Sequence, residues 1–210
     1  MSASMGRATA RAPMEKPTAL KAPLFRLLVD RLEAGDRHVI LDLGAATTPM
    51  LELLGQFRCR VDITDLAADG GIERMNADAE GEDLVARAAS LLPERREDAG
   101  DFDIVLCWDL PNYLKPAPLS AFMTAIAERA RPGALVHALI VYSERTMPEQ
   151  PGRFVPDEEL RLVNRAGPCP EMPAPRYSPE DLGRIMRGFA IDRAMLLANG
   201  MQEFLFRLRT

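Results

Sequence analysis

The chain has 210 residues, 47% of them hydrophobic and 27% charged, the balance of an ordinary soluble globular protein. A formal net charge of -5 and a pI near 5.2 argue against a polyanion as the main partner, since such partners select a basic face, and no nucleic-acid partner is expected. The apolar run at 134–142 is far too short to span a membrane, and Cys59, Cys107 and Cys169 lack CxxC spacing. The expectation is therefore a cytoplasmic chain with buried free thiols and no metal site.

Residues 1–21 carry Arg7, Arg11, Lys16 and Lys21 against a single acid, Glu15. They lack a secretory apolar stretch and read as a flexible tail; residues 22–210 read as one domain. Pro23 opens a helix whose apolar face is Leu24, Phe25, Leu27, Leu28 and Leu32, closed by Gly35. The following HVILDLGAATT, residues 38–48, is an apolar run without polar alternation, as in a strand covered on both faces. Gly44, Ala45 and Ala46 leave little side chain in the way of a ligand approaching the turn. Thr48 and Pro49 then supply an N-cap and a first-turn proline for a second helix.

A second strand is expected at 59–64, ending on Asp65. An acid at the tip of the second strand of a βαβ unit, about 20 residues after the first turn, sits where a ribose hydroxyl pair is held. The other reading of Asp65 is a cap on its own turn. Residues 67–82 are rich in Gly, Asp and Ala and contain no strong strand; 82–92 reads as an amphipathic helix stopped by Pro93. FDIVLCW, residues 102–108, is the next buried strand and runs into Asp109, Leu110, Pro111, Asn112 and Tyr113. A polar cluster at a strand's carboxyl end lies on the ligand-binding edge of an open α/β sheet. A helix at 119–131 and a strand at 134–142 follow.

The segment 143–176 contains seven prolines. A loop of that length leaving a strand's carboxyl end is either a surface excursion or a candidate cap over a site. Ser178-Pro179-Glu180-Asp181 reads as a capping box opening a helix through Arg187. Two strands, 189–198 and 201–208, joined by Asn199-Gly200, form an antiparallel hairpin.

This order of elements resembles the class I S-adenosylmethionine-dependent methyltransferases. The resemblance covers roughly residues 36–210, through ILDLG at 40–44, VDITD at 61–65, FDIVLCWDLPNYL at 102–114 and ERARPGALVHALIV at 128–141. It implies an α/β fold: a Rossmann-like, mostly parallel seven-stranded sheet, its third strand unrecognisable in the sequence, with helices on both faces and the antiparallel hairpin at the end. It further implies S-adenosylmethionine as cofactor. Asp42, Gly44 and Ala45 would lie beside its methionine portion, Asp65 on the ribose, and Cys107 and Trp108 along the wall.

Methyl transfer is an in-line displacement governed by positioning, with an acid or base needed only where the acceptor loses a proton. Asp109, Asn112 and Tyr113 are the catalytic candidates, and a small molecule is the expected acceptor. First-turn glycines usual in the family are replaced here by Ala45, Ala46, Thr47 and Thr48. That departure motivates an alternative, a methyltransferase-like protein without catalysis that serves as a binding module. GAATTP does not match the GxGxxG of nicotinamide dinucleotide proteins.

Overall fold

The computed structural model describes residues 19–78, 83–95 and 100–209. Most of the expected tail, residues 1–18, lies outside them. In chain order the elements are β1 (Ala19–Leu20), α1 (Pro23–Glu33), β2 (His38–Asp42), α2 (Thr48–Leu54), β3 (Cys59–Ile63), α3 (Gly71–Asn76), α4 (Leu84–Leu91) and β4 (Phe102–Trp108). A 3₁₀ turn (Leu110–Asn112), α5 (Pro116–Ala127) and β5 (Ala130–Val141) follow. Four short strands, β6 (Thr146–Pro148), β7 (Phe154–Pro156), β8 (Leu162–Asn164) and β9 (Glu171–Pro173), precede α6 (Pro179–Ile185), β10 (Phe189–Leu196) and β11 (Met201–Leu208).

The main sheet has the order β10-β11-β5-β4-β2-β3. β3, β2, β4 and β5 run parallel, β11 pairs antiparallel with β5, and β10 pairs antiparallel with β11 across the turn at Asn199 and Gly200. The chain thus steps outward from β2 to β3 and returns to β4 on the other side of β2. That reversal leaves a crevice beyond the carboxyl ends of β2 and β4.

Period-two alternation divides the side chains between two cores. Ile104, Leu106 and Trp108 of β4 point with Ile40 toward α1 and α2. Val105 and Cys107 point with Val39 and Leu41 toward α4, α5 and α6. Helix α1 buries Leu24, Phe25, Leu28, Val29 and Leu32, worth on the order of 10 kcal/mol as an upper bound from apolar area. Its N-terminus is tied down by Glu203 of β11, a fully buried carboxylate that accepts the backbone N–H groups of Leu24 (2.9 Å) and Phe25 (2.7 Å) and lies 2.9 Å from His137 Nε2. Two orphan donors of the helix are satisfied in this way by a strand remote in sequence.

The sheet has six strands among the described residues, against the seven expected. Among the described residues the expected third strand is not seen: β3 is the edge, and the described residues beyond it include α3 and α4. Residues 67–78 lack the β-branched and aromatic run that a pleated, half-buried strand requires, and residues 79–82 lie outside the described set. The second helix has Thr47 at its N-cap position, without a capping hydrogen bond from the side chain, and Pro49 at N2, one residue earlier than expected. The segment 143–176 is not a plain loop. β6 pairs with β9, and β7 and β8 make a three-stranded sheet with β1. Ala19 and Leu20, assigned to the tail by sequence, are paired with Val163 and Leu162. No helix among the described residues is long and apolar enough to cross a membrane.

Candidate functional site

The turn after β2 is built around Asp42. Its buried Oδ1 accepts the backbone N–H of Gly44 at 3.0 Å and the indole Nε1–H of Trp108 at 2.6 Å. Burial raises the Asp42 pKa; the Trp108 and Gly44 hydrogen bonds oppose the rise and the nearby Asp65 charge adds to it. Trp108, the last residue of β4, has φ 52, a left-handed conformation costing a bulky residue about 1–2 kcal/mol. The indole is held there by Asp42, by stacking on Phe154 at 15° between planes, and by Phe25 and His137 at 5.8 and 5.9 Å.

This arrangement explains Gly44. A Cβ there would lie 2.7 Å from Trp108 Cδ1 and 2.8 Å from Nε1. The glycine therefore makes room for the indole, where the sequence suggested room for a ligand. Residues 44–48 have no positive φ, so Ala45, Ala46, Thr47 and Thr48 sit without backbone strain. One motive for reading this turn as degenerate, a left-handed backbone that a side chain would strain, is thereby removed.

A cavity of about 360 Å³ opens beyond the carboxyl ends of β2, β3 and β4. Its wall includes Gly44, Ala45, Asp65, Cys107, Trp108, Asp109 and Tyr113, so most of the sequence candidates come together. Asp42 is not in this wall; it lies behind Gly44 and shapes the turn. Asp65 lines the cavity and also caps its turn, Oδ1 accepting from Ala68 N–H at 3.0 Å. The Cys107 thiol is pushed up to about 12 by burial and then by Asp42, so it stays protonated and apolar. It is the buried one of the three free thiols; Cys59 and Cys169 are partly exposed.

The three catalytic candidates separate. Asn112 is buried and consumed by backbone: Nδ2 donates to the carbonyls of Asp109 (2.8 Å) and Leu139 (2.9 Å), and Oδ1 accepts from Val141 N–H (2.9 Å). It ties the strand tip to β5 and is not part of the cavity wall. Tyr113 hydroxyl lies 3.0 Å from the Pro148 carbonyl and 2.9 Å from that of Gln150, clasping the 143–176 segment. Its pKa is raised by burial, then by Asp109 and Cys169. Asp109 is buried, with Oδ2 accepting from Gly152 N–H at 2.8 Å and Oδ1 without a partner. Burial pushes its carboxyl up to about 7, against the opposing backbone hydrogen bonds.

Sequence reasoning missed the far wall. Glu149, Gln150, Pro151, Gly152 and Arg153, with Ile72 and Glu73 of α3, complete the cavity. Gly152 has no room for a side chain, since a Cβ would meet the Phe154 ring at 2.5 Å. Nothing in local sequence signals that the Gly152 N–H meets Asp109, a carboxylate 43 positions away. No cluster of metal-ligating side chains occurs among the described residues.

The parallel sheet with an antiparallel last strand, and the crevice at its reversal, give a fold like that of solved S-adenosylmethionine-dependent methyltransferases. No protein-family model matches the sequence, and no curated protein matches it. Solved structures match through the fold. One is an S-adenosylmethionine-dependent methyltransferase from Clostridium acetobutylicum ATCC 824, TM-score 0.51 and 13% identity, over 89% of this chain and 91% of that one. Another is the glycopeptide N-methyltransferase MtfA complexed with S-adenosylmethionine, TM-score 0.50 and 15% identity, over 96% of this chain and 100% of that one. A third, from the conversion of a disulfide bond into a thioacetal group during echinomycin biosynthesis, has TM-score 0.50 and 20% identity over 92% and 85%.

Proposed function

We propose that this protein transfers a methyl group from S-adenosylmethionine to a small molecule. The observation that carries the reading is the position of the 360 Å³ cavity, at the strand-order reversal of a methyltransferase fold, with Asp65, Gly44, Ala45, Cys107 and Trp108 in its wall. The lining fits the cofactor's charge: Asp65, Glu73, Asp109 and Glu149 stand against one base, Arg153, a balance suited to a cation. Asp65 keeps acceptor capacity beyond its bond to Ala68 for a pair of ribose hydroxyls. Trp108 and Ala45 provide apolar wall, and Asp42 holds the turn from behind.

Bound there, S-adenosylmethionine supplies an electrophilic methyl on a sulfonium sulfur. The chain's own contribution is positioning, exclusion of water and handling of a proton. The 143–176 segment acts as a cap, fastened by Tyr113 to the Pro148 and Gln150 carbonyls. Asp109 takes, at Oδ1, the proton that an N–H or O–H nucleophile sheds as it is methylated. Free thiols and net acidity support a cytoplasmic setting.

Calorimetry with S-adenosylhomocysteine tests the cofactor assignment. Asp65→Ala is expected to weaken binding about tenfold or more, the value of a charge-assisted hydrogen bond of about 1.5–3 kcal/mol. The absence of both heat and a thermal shift with S-adenosylhomocysteine and S-adenosylmethionine would refute the proposal.

A further inference from the structure

Behind Asp109 and Tyr113 lies a second, larger cavity of about 770 Å³. Its wall is mainly apolar, formed by Leu20, Val141, Met147, Phe154, Leu162 and Met201. It draws on β1, β5 and β11 as well as the 143–176 segment, so it exists only because β1 and that segment pack over the sheet. Asp109 and Tyr113 stand in the walls of both cavities.

Asp109 Oδ1 is a buried carboxyl oxygen without a hydrogen-bond donor among the described residues, a rare condition in a folded chain. No neighbouring side chain supplies one; the carboxyl's other donor beside Gly152 is the residue's own backbone N–H. Tyr113 is engaged by two backbone carbonyls, both Asn112 amide hydrogens are used, and Gly152 N–H is bonded to Oδ2. The charged groups in the larger cavity's wall are Asp109, Glu144 and Lys21, the last two exposed, so a buried anion would meet a carboxyl with no buried cation to offset it. An apolar chamber with one deep acceptor selects an apolar molecule carrying one donor.

We propose that the larger cavity is the acceptor site and takes an apolar amine, its nitrogen placed against the Asp109 carboxyl and its hydrocarbon or aromatic body among Leu20, Phe154, Leu162 and Met201. This rests on the smaller cavity being the cofactor site, since Asp109, shared by both walls, then brings the nitrogen beside the methyl donor. In the transfer the nitrogen lone pair forms the new N–C bond, the C–S electron pair passes to sulfur, and a nitrogen proton goes to Asp109.

The test uses two probes that share a ring, 1-naphthylmethylamine and 1-naphthoate, titrated into the full-length protein, with S-adenosylhomocysteine titrated separately. The amine is expected to bind about tenfold or more tighter than the acid, and Asp109→Asn to bring the two within about threefold. Thr146→Trp, at an exposed wall position, and Met201→Trp should each weaken the amine about tenfold by filling the chamber, with S-adenosylhomocysteine affinity held within about twofold. A matching melting temperature identifies a folded variant. Equal binding of acid and amine, or amine binding indifferent to both tryptophans, overturns the proposal. Amine binding that the tryptophans abolish, with no heat from S-adenosylhomocysteine, supports the amine site and overturns the methyltransferase reading.

Discussion

Replacing Asp109 by asparagine should stabilise the protein at alkaline pH while disabling it. The carboxyl is buried, and its pKa rises from 3.8 to about 7 through burial. A gap of that size corresponds to roughly 4 kcal/mol between neutral and ionised forms in the folded state. Because the folded pKa lies above the unfolded one, the folded protein binds the proton more tightly. The stability contributed by this group is whole below the unfolded value of 3.8 and is lost as pH rises through about 7. Asparagine keeps the neutral shape and a carbonyl acceptor for Gly152, so it escapes this loss. Urea denaturation should show the stability of Asp109→Asn relative to the unsubstituted protein growing by about 2–3 kcal/mol between about pH 5 and pH 8.5. Asp42, also raised by burial, is present in both proteins and cancels in the difference. A carboxamide cannot take a proton, so turnover on an amine acceptor should fall about 100-fold or more with cofactor binding retained. A stability difference that stays flat across that pH range would refute the burial argument.

Gly44→Ala should cost about 1–3 kcal/mol by overpacking and change the emission of Trp108, the sole tryptophan; an unaltered spectrum and midpoint would mean that the indole does not occupy this place. Tyr113→Phe removes the clasp on Pro148 and Gln150 and should speed proteolytic nicking around residues 148–153 without lowering the global urea midpoint by more than about 1 kcal/mol. Glu203→Gln turns one acceptor toward a donor–donor clash at the start of α1 and should cost about 1–3 kcal/mol, read as a lower urea midpoint with an unchanged slope.

Much of the frame was legible locally. The apolar runs at 38–42 and 102–108 announced doubly covered strands because such strands need no polar alternation. The small residues after Asp42 and the polar cluster after Trp108 marked the ligand edge because chain direction fixes which end of a parallel strand faces the crevice. Strand β5 was harder: its first residues, Ala130 to Gly133, carry no apolar run, and of them Ala130 pairs with β4 before the register shifts, so sequence started it four residues late. The 143–176 segment looked structureless because each of its strands is three residues long and is held by partners elsewhere in the chain.

The residues at the site show where local reasoning stops. Asp42, Gly44, Asp109, Asn112 and Tyr113 were all visible as polar or small residues at strand tips, but their roles were not. Asn112 became an internal tie because its amide meets Leu139 and Val141. Gly44 became a seat for Trp108, because the indole reaches it across the sheet to bond Asp42. Asp109 became the distinctive group because Gly152 and Phe154 arrive from a distant segment, bury it and satisfy one oxygen but not the other. Sequence alone determined the long strands of the main sheet and which of their ends face the crevice, since periodicity and turn chemistry act over a few residues. Tertiary packing decided the pairing of the short strands in 143–176, the two adjoining cavities and the state of Asp109, since burial and hydrogen-bond supply depend on residues far apart in the chain.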